Sequence, residues 1–207
     1  MAKEIFIVRH GETEFNRQHI VQGSGVDSSL NETGINQAAA FHDAYKNIGF
    51  ELVFTSALKR TVETAQNFLD MQIPHIADAD INEISWGIYE GKSVIDGMKE
   101  AYKSLMTNWA SENYDERIEE GESAAEMATR LQRFLNRLKA RSEEKILVVM
   151  HGRTIRCLMC LIDGKPIKHM DDYSHHNTGV YKVRQIQDKL EIYELNSIDH
   201  LKVLKDK

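Results

Sequence analysis

Two segments of this sequence place a histidine and a glycine at the end of an apolar run. Ile5-Phe6-Ile7-Val8 leads into Arg9-His10-Gly11-Glu12-Thr13, and Ile146-Leu147-Val148-Val149-Met150 leads into His151-Gly152-Arg153-Thr154. Each run reads as a buried strand, so His10 and His151 emerge at a carboxyl end, the edge of an open α/β sheet where ligands bind. If the two strands are neighbours in one parallel sheet, the imidazoles converge from segments far apart in sequence. Arg9 stands beside the first histidine. Arg60 lies four residues after Ser56, early in a predicted helix, and helical side chains lean toward the amino terminus, so it reaches back over the strand end. Two guanidiniums and two imidazoles around helix starts suit a phosphoryl group, whose oxygens match the arginine fork and the free amide N–H groups. Such a site still needs an acid to protonate a departing alkoxide, and Glu83, in Ile81-Asn82-Glu83-Ile84-Ser85-Trp86-Gly87, offers one from a loop.

The elements that must position these groups alternate. After the first strand, residues 13–16 start a short helical turn, and a loop of Gly and Ser runs over 22–27. Asn31-Glu32-Thr33-Gly34 opens a helix to about Ile48, residues 50–55 read as the next strand, and Ser56 is expected to cap a helix through Leu69. This rhythm predicts an α/β fold with a mainly parallel sheet covered by helices on both faces. From 93 to 141 the pattern is helical apart from an acidic loop over 116–121, with Ser123-Ala124-Ala125-Glu126 as a capping box, and it reads as a helical insertion over the sheet edge. A strand at 145–150, a helix at 152–162 and two strands near 178–184 and 189–195 follow, and the final ten residues read as a solvated tail.

Composition narrows the function classes. The 207 residues, 42% hydrophobic and 28% charged, suit one soluble domain with a single core. No apolar run approaches the roughly 18 residues of a membrane helix, and the amino terminus does not open like a signal peptide, so a cytoplasmic protein is expected. A net charge of -6 argues against nucleic acid or an anionic membrane as partner, and an anionic ligand must be drawn by a local cationic pocket. Cys157 and Cys160, three apart inside a helix, read as buried thiols rather than a redox pair. His175 and His176 are adjacent on an extended segment and point to opposite faces, which favours a polar loop over a metal site. Trp86 and Tyr89 fit a substrate pocket or packing against the insertion equally well.

The ordered set Arg9-His10-Gly11-Glu12-Thr13 with Asn16, Gln22-Gly23, Leu30 with Gly34 and Gln37-Ala38, Ser56 with Arg60 and Thr64-Ala65, Asn82-Glu83, Gly121-Glu122-Ser123, and His151-Gly152 with Ile155-Arg156 resembles the histidine phosphatase superfamily. That resemblance implies the three-layer phosphoglycerate mutase-like fold and a single domain over residues 1–207. It implies a phosphohistidine on His10, phosphoryl oxygens held by Arg9, Arg60 and His151, help from Asn16, Gln22, Gly23 and the Gly152 backbone, and Glu83 as general acid and base. No metal or cofactor is implied. His10 must be neutral to attack, which nearby Arg9 and Arg60 favour, whereas a charged His151 is useful. The resemblance also implies a small phosphorylated metabolite as substrate, and it leaves a homodimer as a state to test.

Three activities compete: phosphomonoester hydrolysis, phosphoglycerate mutation, and noncatalytic phospholigand binding. Asn82-Glu83-Ile84-Ser85-Trp86-Gly87-Ile88-Tyr89-Glu90-Gly91 is similar to the acid loop of broad-specificity phosphatases, α-ribazole phosphatase and fructose-2,6-bisphosphatase relatives, and differs from that of the mutases. All the central residues are present, which disfavours a mere binder. Departures from the pattern are Ala57 where proline is usual and Arg153-Thr154 where small residues are typical. Arg153 adds a charge at the pocket rim, with either a second anionic substrate group or solvent as its partner. Specificity is expected from the insertion and from loops 22–27, 84–95 and 173–178.

Overall fold

The computed structural model describes residues 3–93 and 96–204; residues 94–95 of the expected insertion and 205–207 of the expected tail lie outside the described residues. Six strands form one sheet: β1 (Lys3–Arg9), β2 (Leu52–Thr55), β3 (His75–Ala77), β4 (Lys145–Met150), β5 (Val180–Ile186) and β6 (Lys189–Ser197), in the order β3-β2-β4-β1-β5-β6. The first four strands in that order run parallel, and β5 and β6 join antiparallel. The helices are α1 (Glu14–Arg17), α2 (Glu32–Tyr45), α3 (Lys59–Leu69), α4 (Asp96–Ala110), α5 (Ala124–Lys139) and α6 (Gly152–Asp163).

Both faces of the central strands are covered, which is why β1 and β4 are continuous apolar runs rather than alternating ones. Ile5 and Ile7 of β1 enter a core with Met127, Leu131 and Phe134 of α5 and Leu158 of α6. Phe6 and Val8 point the other way, against Phe41 of α2 and Phe68 of α3. The result is the expected three-layer α/β arrangement. Cys157 and Cys160 are buried free thiols on α6, and burial pushes both up to about 12.

Several expectations are corrected. Helix α5 lies over the sheet face and not only at its edge, because its apolar residues recur at helical spacing into the sheet core. Helix α4 reaches the same core through Leu105 and Trp109. Ser56 caps no helix: the N-cap of α3 is Leu58, which has no side-chain cap, while the Ser56 hydroxyl accepts from Leu58 N at 3.1 Å and is shared with His151 and Thr61. Helix α2 stops at Tyr45, three residues short of Ile48. Strand β3 was not anticipated; it is three residues long with no buried residue.

The tail is not solvated throughout. Asp199–Leu204 forms a 3-10 segment, and His200 is buried with its ring 5.7 Å from Phe41 and 6.0 Å from Tyr45. Its Nε2 shares a hydrogen bond of 3.0 Å with Thr178 Oγ1. One buried ring in a polar stretch leaves no periodic pattern to read.

The loop after β1 is fixed against the start of α2. Asn31 N donates to Glu12 O at 3.0 Å, Glu12 N donates to Gln37 Oε1 at 2.9 Å, and Gly34 N donates to Asn31 Oδ1 at 2.8 Å. The two backbones touch so closely that a Cβ on Gly34 would lie 2.0 Å from Glu12 O. Gly34→Ala is therefore expected to cost about 1–3 kcal/mol through overpacking, read as a lower urea midpoint; an unchanged midpoint would show that this loop yields freely.

Candidate active site

Parallel pairing of β1 with β4 sets Arg9 opposite Met150, so the next residues on each strand, His10 and His151, leave the sheet side by side. Their ring centroids are 5.2 Å apart at an interplanar angle of 60°. His10 N donates to Met150 O at 3.0 Å, tying the residue to the neighbouring strand. Its Nδ1 lies 2.7 Å from Gly11 O, and a carbonyl only accepts, so Nδ1 carries the hydrogen and Nε2 keeps the lone pair. His151 has the opposite tautomer. Arg60 Nε, always a donor, gives its hydrogen to Nδ1 at 3.2 Å, which leaves Nε2–H to donate to Ser56 Oγ at 2.8 Å.

Both rings are held neutral. Burial, then Arg9 and Arg60, depress His10 well below its ordinary value; burial, then Arg60 and His10, do the same to His151. For His10 this is the protonation state a nucleophile needs. For His151 it departs from the charged role expected from the sequence, because Nδ1 is occupied as an acceptor of the arginine.

Arg60 is wholly buried and reaches back from the first turn of α3, as its position predicts. Its Nη1 donates to Val26 O at 2.6 Å and its Nη2 to Gly23 O at 3.2 Å, so the guanidinium also ties down the 22–27 loop. Arg9 Nη1 donates to His175 O at 2.8 Å, whereas its buried Nε has no hydrogen-bond partner among the described residues. Burial draws Arg9 down to about 10, partly offset by Glu83. Among the described residues neither arginine forms an ion pair. Two desolvated cations satisfied mainly by carbonyls make a strong field for an anion.

Glu83 sits at the opening of α6. Its Oε1 accepts from Ile84 N at 3.0 Å and Thr154 N at 3.2 Å, and its Oε2 accepts from Arg153 N at 3.1 Å. A brace holds the chain leading to it: Arg130 Nη1 donates to Asp80 O at 2.7 Å and Asn82 O at 2.8 Å, while Arg130 is clamped to Glu122 at 2.6 and 2.8 Å. The Gly121-Glu122-Ser123 motif thus supports the acid loop and caps α5. A cavity of about 780 Å³ lined by Glu83, Asn82, Arg130 and Glu122 opens beside this brace, without His10 in its wall.

The remaining sequence-selected residues form the walls. Asn16 Oδ1 accepts from Thr13 N at 3.2 Å and from Asn177 Nδ2 at 3.4 Å, and Asn177 Nδ2 also donates to His10 O at 3.0 Å. Gln22 Nε2 donates to Thr13 Oγ1 at 2.7 Å. Gly23 admits no side chain, since a Cβ would lie 2.5 Å from the backbone Ile84 O as well as 2.1 Å from Glu90 Oε1. Glu90 accepts from Trp86 N at 2.9 Å and backs this loop. At Gly152 a Cβ would meet His175 Cδ2 at 2.3 Å and Arg9 Nε at 3.4 Å, so the helix opening stays bare for close approach.

His175 was missed as part of the site. Its ring lies against Gly152, its carbonyl anchors Arg9, and Nδ1 accepts from Arg156 Nη2 at 3.3 Å. Burial, then Arg9 and Arg156, hold it down at about 3. His176 turns away to Asn196 at 2.6 Å, so the two rings do face opposite ways. The adjacency of β5 to β1 brings His175 to the site, and no local pattern reports that adjacency. Arg153 is buried rather than directed to solvent.

Because the folded-state values of His10 and His151 are depressed below the ordinary 6.5, both rings take up a second proton at lower pH than a free imidazole does. Ring-nitrogen NMR titrations of the protein in phosphate-free buffer are expected to place any midpoint of these two residues below 6.5, and a midpoint at or above 6.5 in either would contradict the burial argument.

The model of the "Histidine phosphatase superfamily (branch 1)" matches residues 5–198. A relative from Hydrogenobacter thermophilus named "Putative phosphoserine phosphatase 2" is 29% identical over 98% of this chain and 99% of its own length. "Probable phosphoglycerate mutase GpmB" of Proteus mirabilis is 32% identical over 79% of this chain and 76% of its own. Among solved structures, the α-ribazole phosphatase from Shigella flexneri superposes with a TM-score of 0.82 at 27% identity, over 94% of this chain and 96% of that one.

Proposed function

Since the chain belongs to the histidine phosphatase superfamily, branch 1, we propose that it hydrolyses a small phosphate monoester through a phosphoryl group carried on His10 Nε2. The observation that supports this most is a His10 pinned at Nδ1 with its Nε2 lone pair free, next to the buried guanidinium of Arg60 and the half-buried Arg9, neither of which has a carboxylate ion-pair partner among the described residues. The Nε2 lone pair attacks phosphorus, the ester P–O bond breaks, and the leaving oxygen takes a proton from the carboxyl of Glu83. Water then attacks the phosphohistidine and gives a proton back to Glu83; the P–N bond breaks and the imidazole regains its lone pair. Arg9, Arg60 and the Gly152 amide bear the charge on the equatorial oxygens, and Asn16 lines the entry. His151 contributes as a neutral ring that orients Arg60 and Ser56. Phosphoryl transfer depends chiefly on positioning and charge stabilisation, so this set is sufficient without a metal ion. The unpaired thiols of Cys157 and Cys160 fit a reducing compartment, the cytoplasm.

The mutase relative supports a second reading, in which the phosphohistidine returns its group to another hydroxyl. A panel of phosphate esters including 3-phosphoglycerate, assayed with EDTA for free phosphate and for 2-phosphoglycerate, separates the two. Free phosphate without isomer is expected; isomer formation would move the assignment to mutase. His10→Ala is expected to abolish turnover, and Glu83→Gln to slow alkyl esters by about 10²–10⁴-fold while sparing p-nitrophenyl phosphate, whose leaving group needs no proton. Equal losses on both ester types would remove Glu83 from the acid role.

A further inference from the structure

Beyond the phosphoryl site, α6 carries a second cationic group. Arg153 and Arg156 lie one turn apart, and both guanidiniums donate through Nη1 to the same oxygen, Asp171 Oδ1, Arg153 at 2.8 Å. The side chains are unequally exposed: 8% for Arg153 and 17% for Arg156, against 56% for Asp171. One buried and one half-buried cation thus share one exposed carboxylate and retain a surplus positive charge, and among the described residues the buried Nε atom of Arg156 has no hydrogen-bond partner. Arg153 is further held between aromatic groups, its guanidinium carbon 5.9 Å from the Trp86 ring centre and 5.8 Å from that of Tyr102. Its Nη2 donates to Tyr102 OH, which leaves the phenol hydrogen available to a further acceptor.

This fork faces the chemistry. Arg156 Nη2 touches His175 Nδ1, and the other edge of the same ring lies against Gly152 at the phosphoryl end of the helix. One imidazole separates the two cationic groups. Tyr102 comes from α4 and Trp86 from the acid loop, the two regions expected to set specificity.

The geometry points to a carboxylate subsite at Arg153 and Arg156, in which a substrate carboxylate takes the place that Asp171 now holds. The inference rests on the phosphatase reading above and assigns its substrate class: short phosphorylated carboxylic acids. A carboxylate fits better than a second phosphate, because the fork is already matched by one planar group of single charge. Asp171 sits in the short 3-10 segment Ile167–Asp172, so it acts as an internal competitor that keeps the two arginines apart from solvent anions.

The test compares 3-phosphoglycerate with glycerol 3-phosphate, which differ by the carboxylate alone, as a ratio of kcat/KM. Asp171→Asn removes the competitor and is expected to raise the ratio about fivefold, whereas Arg153→Met, which keeps the packing between Trp86 and Tyr102, is expected to lower it by about tenfold or more, the worth of a charge-assisted hydrogen bond. Arg153→Lys should recover part of the loss. Structural damage alone would slow both esters alike, so a ratio within about twofold of wild type in Arg153→Met, or the same direction of change in both variants, overturns the subsite. Calorimetric binding of the same two esters to His10→Ala gives the preference without turnover. A wild-type protein silent on both esters would sink the hydrolase reading, while a carboxylate preference in that binding experiment would still uphold the subsite.

Discussion

The site depends on the parallel register of β1 with β4. Side-chain direction alternates along a strand, so a slip of one residue would send the core residues of β1 to the wrong layer and turn the His10 segment away from His151. The register is secured by burial on both faces, with Ile5 and Ile7 in one core and Phe6 and Val8 in the other. The cost of keeping two guanidiniums and two imidazoles at the end of those strands is met by that packing. The same burial keeps the imidazoles uncharged. The free lone pair of His10 and the anion field therefore have one cause, the desolvation of a cationic edge.

Around that edge, braces convert general burial into fixed geometry. Arg60 holds His151 with one nitrogen and the 22–27 loop with the others. Arg130, clamped by Glu122, holds the carbonyls of Asp80 and Asn82 on the approach to Glu83. Asn177 joins the His10 carbonyl to Asn16, and Thr178 N donates to Arg9 O at 3.0 Å while its hydroxyl meets His200 from the last described segment. Each hydrogen bond is worth about 1 kcal/mol net, more where a charge is involved. Their combined effect is positional, and phosphoryl transfer rewards position.

The parallel strands, the convergence of the histidines and the backward reach of Arg60 were legible because they follow from apolar runs and helix geometry, which are local. Ser56 looked like a cap by type, yet its hydroxyl serves His151, a partner 95 residues away. The role of Glu122 in the acid loop and of His175 beside Gly152 depends on which strands and helices become neighbours. The buried His200 and the three-residue β3 carry too few residues for any periodicity. The neutral His151 needed the observed donor at Nδ1, since sequence gives nearness to arginine but not which nitrogen receives its hydrogen.

A phosphoryl group taken up by His10 Nε2 survives in alkali, so rapid alkaline quenching during turnover traps it in place. Mass spectrometry of the quenched protein is expected to find one phosphoryl group on His10, formed in a burst faster than steady-state phosphate release and absent from His10→Ala. Turnover with no label on His10, or with the label at another residue, would contradict uptake at His10.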